Sequence, residues 1–223
     1  MSFFREHCRI LPPRGTGEPS AGMVIMIHGL FVGSYVFRYL SDRFRQRGWT
    51  VALYDYPTVR RDLPDHASRL VRELESARFD TVGKLHFVTH SMGALVLRGA
   101  LGELSADRLG RLGRAVMIAP PNRGSDSAAR AEKLLPEIRK LVAPIHDLSS
   151  VPDSFANMVP MPETRLQIGI LAAASDHRVR IEYTHLDGVC DHRVLPGMHT
   201  GILFRRATFE QTWNFLCRGK FTD

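Results

Sequence analysis

Ser91 lies at a corner in the run LHFVTHSMGALVLRGAL, which begins at Leu85. Apolar stretches precede and follow it, so a small polar side chain sits where a strand must turn directly into a helix. Such a corner crowds the backbone, and Gly93, two places on, supplies a small neighbour. The hydroxyl then points outward, beside the free N–H groups of the helix that starts there. That arrangement suits nucleophilic attack on an acyl carbonyl, provided a base takes the proton. Helix capping is the simpler role for a serine so placed. Two other stretches favour chemistry. Gly29, after His28, permits close backbone approach, and the Leu30 N–H, together with that of Met92, is placed to receive an oxyanion. LDGVCDHRVLPGMHTGIL, residues 186–203, carries histidines between the last predicted strand and the last helix.

These residues need a scaffold, and apolar periodicity predicts one. Residues 23–27 and 50–56 read as strands, the first buried on both faces and the second ended by Pro57. Between them, residues 35–48 form an amphipathic helix with Tyr39, Leu40 and Phe44 inward and Gly48 as its stop. Ala67, Leu70, Val71 and Leu74 make the stripe of a surface helix over 65–79. Strands follow at 84–90, 114–120 and 165–173, with an almost wholly apolar helix at 91–101 and one interrupted at Pro136 over 127–142. In 179–186, Val179, Ile181 and Tyr183 alternate with Arg180, Glu182 and Thr184, which predicts an edge strand with one wet face. A final helix at 205–219 buries Phe209, Trp213 and Leu216. Strand and helix alternate, so the expected α/β architecture is a mostly parallel sheet with helices on both faces. Ligands of such sheets bind at the carboxyl ends of the strands, where Ser91 lies. Residues 144–162 are proline-rich and aperiodic, and are expected to form a small cap or lid on one domain spanning 1–223.

Composition narrows the function classes. The chain has 223 residues, 44% of them hydrophobic and 24% charged, as in ordinary globular proteins. A net charge of +7 and a pI near 9.8 would suit anionic partners. The basic residues are scattered without interleaved aromatics, so a solvated basic surface is expected rather than nucleic-acid binding. The N-terminal stretch shows no apolar signal core, and no run is long enough for a transmembrane helix. Cys8, Cys190 and Cys217 lie far apart, which predicts reduced thiols and a cytoplasmic protein. There is no paired Cys or His spacing for zinc, and Gly15-Thr16-Gly17 is too isolated for a dinucleotide loop, so neither metal nor organic cofactor is expected.

The chain resembles an α/β-hydrolase, in particular a small bacterial lipase or esterase with little or no lid. MIHGLFVGSYVFRYLSDRFRQRGWTVALYDY resembles that family's oxyanion loop and first helix, THSMGA its nucleophile elbow and APPNRGS the motif after its next strand. SDHRVRIEYTHLDGVCDHRVLPGMHTGIL resembles its acid-to-histidine segment, and the likeness runs from about Met23 to the C-terminus. Thr89 stands where G-x-S-x-G has its first glycine. The N-terminal region is too short for the family's two extra antiparallel strands, so a minimal sheet of about six strands is expected.

The resemblance implies the order nucleophile, acid, base. His199, between Gly197 and Gly201, holds the position of the family's histidine, with His192 as the alternative base. Asp176 follows the 165–173 strand as the family's acid does, with Asp126, Asp187 and Asp191 as alternatives. The implied activity is hydrolysis of carboxylic esters through an acyl-enzyme. Ser91 attacks, His199 is the base, Asp176 orients it, and the Leu30 and Met92 N–H groups form the oxyanion hole. Leu30, Phe31, Val32, Met92 and residues 144–162 would make an apolar acyl pocket. Phe31, His90 and Asn122 are the expected substrate contacts, with His90 serving as wall or packing. His28 is expected to shape backbone, His86 to sit in the core and Arg123 to anchor a loop. The expected partner is a small-molecule ester or lipid, with the oligomeric state open. The same triad serves acyltransferases and thioesterases, and a hydrolase fold can also be a non-catalytic binding module.

Overall fold

A strand that is apolar along its whole length needs cover on both faces. The computed structural model, which describes residues 7–14, 22–80, 83–160 and 166–222, shows how it is supplied. In chain order the elements are β1 (His7–Leu11), β2 (Gly22–Ile27), α1 (Arg38–Gln46), β3 (Thr50–Asp55), α2 (Leu63–Leu74) and β4 (Lys84–His90). Then come α3 (Gly93–Leu101), α4 (Ala106–Gly110), β5 (Leu112–Ile118), α5 (Asp126–Leu134), α6 (Ile138–Leu141) and α7 (Phe155–Met158). The chain continues with β6 (Gln167–Ala173), α8 (Ile181–Thr184), β7 (Asp191–Leu195) and α9 (Arg206–Arg218).

The strands form one sheet in the order β1-β3-β2-β4-β5-β6-β7. Strands β2 to β7 pair in parallel, and β1 runs antiparallel to β3. Alternate residues of the central strands face opposite layers. Val24, Met26, Val88, Val116 and Ile118 pack with Leu40 and Phe44 of α1 and Phe209, Phe215 and Leu216 of α9. Ile25, Ile27, Phe87, Ala115 and Met117 pack with Leu70 and Leu74 of α2 and the apolar residues of α3. The helix α3 is buried almost all round because it lies between the sheet and α2. From β2 the chain moves outward to β3 and then crosses back to β4. The loops after β2 and β4 therefore diverge at a topological switch point, where a crevice opens.

The expected mostly parallel sheet of about six strands is present: six strands are parallel, and a seventh, β1, pairs antiparallel with β3 from His7–Asp55 to Leu11–Val51. One expectation is corrected. The predicted edge strand at 179–186 is instead a turn of helix, α8, and the sixth parallel strand is β7. The alternation there had a local cause. Val179 and Thr184 are buried, and Thr184 Oγ donates to Ile181 O at 2.6 Å, which closes a turn. Strand β7, with the sequence DHRVL, has no apolar alternation and is held by backbone pairing with β6. The helical stretch around Pro136 divides into α5 and α6. Residues 161 and 162 of the expected cap, the Gly15-Thr16-Gly17 run and the first six residues lie outside the described residues. Among the described residues no helix is long and apolar enough to cross a membrane.

Close backbone packing places the end of β4 against the end of β2. A Cβ on Gly93 would overlap the Ile27 carbonyl oxygen and lie 2.7 Å from that of His28. Gly93→Ala therefore requires α3 to move off β2. The expected loss is about 1–3 kcal/mol, read as a lower denaturant midpoint. A variant as stable as wild type would show that this contact does not set the spacing.

The strand β4 also carries two buried imidazoles. His86 Nδ1 accepts from the Arg114 N–H at 3.1 Å, and burial, helped by Arg114 and Lys84, pushes its pKa down to about 4. Burial, with His199 close by, pushes His90 down to about 3. In the unfolded chain both imidazoles take up protons near pH 6.5, so below that pH the unfolded state binds more protons and stability falls with acidification. Each histidine is expected to remove about 2 kcal/mol between pH 7.5 and pH 5. Denaturant midpoints at the two pH values measure the loss, and His86→Gln should shrink it; equal midpoints in wild type would contradict the assignment.

Candidate active site

Strand β4 ends at His90 and α3 begins at Gly93, which leaves Ser91 and Met92 to make the whole turn. Ser91 has φ +52°, a left-handed conformation that L-residues rarely adopt. Its amide donates to Ile118 O at 3.0 Å and its carbonyl accepts from Ala94 N at 3.0 Å, so both neighbouring elements hold the strained residue. A Cβ on Gly29 would lie 2.8 Å from Ser91 Cβ, so glycine there lets the β2 loop touch the corner. Phe31 and Ala119 also have positive φ, and the three strained residues follow the ends of β2, β4 and β5. Strain of this kind gathers at functional sites.

His199 comes from the loop after β7 and Asp176 from the loop after β6. The Ser91 hydroxyl donates to His199 Nε2 at 2.9 Å, and His199 Nδ1–H donates to Asp176 Oδ2 at 2.7 Å. The His199 side chain is 12% exposed and that of Asp176 only 2%. The other Asp176 oxygen accepts from the backbone amides of Arg178 at 2.8 Å and Val179 at 3.0 Å. Burial raises the Asp176 pKa, but the bond and charge of His199 and these two amides outweigh it and hold the carboxyl below its ordinary range. The arrangement supplies a hydroxyl, a base able to take its proton and an anion to hold that base in one tautomer. The amides of Leu30 and Met92 donate to no backbone carbonyl among the described residues.

His90 touches this assembly from beneath. Its Nε2–H donates to the carbonyl of His199 at 3.0 Å, with the ring centroids 5.0 Å apart. Because the ring stays neutral, Nδ1 is left as an acceptor, buried and with no hydrogen-bond partner among the described residues. His28 Nδ1–H donates to Gly29 O at 3.1 Å, and the Tyr56 hydroxyl donates to His28 O at 2.7 Å, so this histidine shapes the β2 loop.

A cavity of about 420 Å³ opens at Ser91. Leu30, Phe31, Val32, His90 and His199 border it near the serine, and Ala128, Ala131, Ile138, Ile145 and Leu148 form an apolar wall. Of the stretch from Pro144 to Pro160, only Ile145 and Leu148 reach it. The α5 and α6 residues escaped sequence analysis, although the apolar face of α5 was a usable signal. The Met92 side chain lies wholly in the core, so only its backbone bears on the site.

Other predicted residues are placed elsewhere. Asn122 is 2% exposed and does not border the cavity. Its side chain donates to Thr184 O at 2.8 Å and its carbonyl accepts from Arg98 at 3.0 Å. Arg98, which the sequence did not single out, also donates to Ala156 O at 3.4 Å and Val159 O at 2.5 Å. Burial pushes its pKa down to about 10. His192 bonds Thr184 at 2.8 Å and stacks on His185. Asp126 accepts from Ser150 and Tyr183, and Asp191 accepts from the Phe221 amide. Asp187 is fully exposed, with Arg123 at 3.8 Å. Among the described residues, the acid bonded to His199 is Asp176.

A sequence model of the Alpha/beta hydrolase family matches residues 24–208. No curated protein matches the chain in sequence. Among solved structures, the fold is similar to the mature form of Bacillus licheniformis lipase BlEst2, with a TM-score of 0.76 and 15% identity over 94% of this chain and 98% of that one. It is similar to YbtT, a type II thioesterase from the yersiniabactin pathway, with a TM-score of 0.67 and 17% identity over 96% and 99% of the two chains. Aspergillus fumigatus lipase B superposes with a TM-score of 0.73 and 13% identity, over 96% of this chain and 57% of that one. At such identities the structural likeness is one of fold, while the sequence match spans most of the chain. The chain belongs to the Alpha/beta hydrolase family.

Proposed function

We propose that the chain is a single-domain serine hydrolase that cleaves carboxylic esters through an acyl-enzyme. The observation that carries this reading is the continuous chain of bonds from Ser91 through His199 to Asp176, at 2.9 and 2.7 Å. Ser91 Oγ attacks the ester carbonyl while His199 Nε2 takes its proton. Asp176 holds the imidazole tautomer and stabilises the imidazolium. The Leu30 and Met92 amides receive the oxyanion, aided by the partial positive charge at the start of α3. His199 returns the proton to the leaving alcohol, and water then releases the acid. The apolar wall takes the acyl chain, and Phe31 and His90 flank the reacting centre. Free cysteines at positions 8, 190 and 217 fit a cytoplasmic setting. Thioester cleavage is the second reading, favoured by the likeness to a type II thioesterase along nearly the whole of both chains.

The deciding experiment is labelling with a fluorophosphonate, with the adduct located by mass spectrometry. Label on Ser91 in wild type, lost in Ser91→Ala, is the expected result; an unlabelled folded wild type would overturn the reading. Asp176→Asn should leave the fold intact and lower kcat by about 10³–10⁴-fold through loss of the correct tautomer. Loss of less than ten-fold would remove Asp176 from the site. Ala131→Phe should fill the cavity wall and lower kcat/KM for p-nitrophenyl decanoate about ten-fold more than for the acetate. An unchanged chain-length profile would place the acyl group elsewhere.

A further inference from the structure

Next to the acyl cavity the surface folds into a second hollow of about 250 Å³. Its basic side is Arg130, Arg178 and Arg180, and its acidic side is Asp126 and Asp176. Ser127 and Arg178 border both this hollow and the acyl cavity, so the two lie side by side.

The charges there do not cancel. The Asp176 carboxylate is committed to His199 and two backbone amides. Asp126 accepts from Ser150 at 2.8 Å and Tyr183 at 2.9 Å, and pairs with Arg180 at 3.0 Å. Arg130 and Arg178 are exposed, and neither makes a salt bridge among the described residues, although the charge of Arg130 also acts on Asp126. The backbone of Arg178 is nonetheless fixed. Its amide donates to Asp176 at 2.8 Å, and its carbonyl accepts from Ser125 at 2.7 Å and Ser127 at 3.2 Å. An unpaired guanidinium is thus rooted two residues from the acid that orients His199.

We propose that this hollow is an anion subsite, and that the substrate carries a phosphate on the alcohol or thiol side of the scissile bond. The inference rests on the hydrolase reading above and names the substrate class for that site. The acyl side is excluded, because the wall of Ala128, Ala131, Ile138, Ile145 and Leu148 would desolvate a charge without pairing it. Paired guanidinium groups match the oxygen geometry and double charge of a phosphate monoester. The net charge of +7 steers such a substrate towards the protein. The phosphate itself does not react. Ser91 Oγ bonds to the carbonyl carbon, the carbon–oxygen or carbon–sulfur bond breaks, and the Ser91 proton passes through His199 to the leaving atom. Water then adds to the acyl-enzyme, giving the carboxylic acid and free Ser91.

The test uses substrate pairs that differ only in one phosphate. One pair is lysophosphatidic acid and the monoacylglycerol of the same acyl chain; the other is acyl-4′-phosphopantetheine and acyl-pantetheine. They place the phosphate at short and long distances from the carbonyl, so the pair that responds identifies the source. In wild type, kcat/KM for one phosphorylated member should exceed that of its partner about ten-fold or more, mostly through KM. The Arg130→Glu/Arg178→Glu double variant should bring that ratio to one or below, and Arg130→Glu alone, at an exposed position of α5, repeats the test if the double variant fails to fold. Ratios near one in both wild-type pairs, with the neutral members cleaved, would overturn the anion subsite and leave the hydrolase standing. If no member of either pair is cleaved and Ser91 takes no fluorophosphonate, the hydrolase reading fails instead. Calorimetric titration with glycerol 3-phosphate and 4′-phosphopantetheine still reads the hollow in that case: binding lost in the double variant supports it, and no binding to wild type overturns it.

Discussion

Everything at the site depends on two strand ends packed at backbone contact. Ser91 is held at a positive φ without being glycine, a conformation that costs on the order of 1–3 kcal/mol and persists only when its surroundings over-determine it. The surroundings are specific. The β5 carbonyl of Ile118 takes the Ser91 amide, Gly29 sits against its Cβ, and Gly93 lets α3 rest on the last carbonyls of β2. Any side chain at either glycine would push these backbones apart. The central core supplies the force that closes them, through Ile25, Ile27 and Phe87 on one face and Val24, Met26 and Val88 on the other.

Around that corner the electrostatics are arranged so that one group carries charge and its neighbour does not. Asp176 is buried yet ionised, because three hydrogen bonds to its oxygens outweigh desolvation. His90 is buried and neutral, because desolvation and the neighbouring His199 outweigh the bond to the His199 carbonyl and the charge of Asp176. A neutral His90 can present its Nε2–H to the His199 backbone without placing a positive charge beside the His199 ring. The loop that carries His199 is thus tied from one side by a carboxylate and from the other by an uncharged ring.

Much of this was legible in the sequence because it follows from local rules. The run at 23–27 is apolar throughout and that at 168–173 nearly so, as suits strands covered on both faces. The serine corner and the order of acid and histidine were readable from the family resemblance. What stayed hidden is held by long-range pairing. DHRVL becomes β7 only because β6 offers it an edge, while 179–184 alternates like a strand but is closed into a turn by Thr184. His7–Leu11 likewise becomes a strand by pairing with β3, far along the chain, from His7–Asp55 to Leu11–Val51. The cavity wall from Ala128, Ala131 and Ile138 could not be assigned to the site without knowing where α5 and α6 fold back.

Arg98 gives the site a mechanical property. It lies on α3, the helix that begins at the nucleophile corner, and its guanidinium is solvated from within by the carbonyls of Asn122, Ala156 and Val159. The stretch after Ser154 is therefore bolted to the same helix that positions Ser91, by a cation whose release would expose or orphan every one of those carbonyls. Ala156 and Val159 do not border the cavity, so this tie acts on the helix and not on the cavity wall. A shift of the 154–159 segment is passed through Arg98 to α3, and so to the corner at Ser91 that the helix follows.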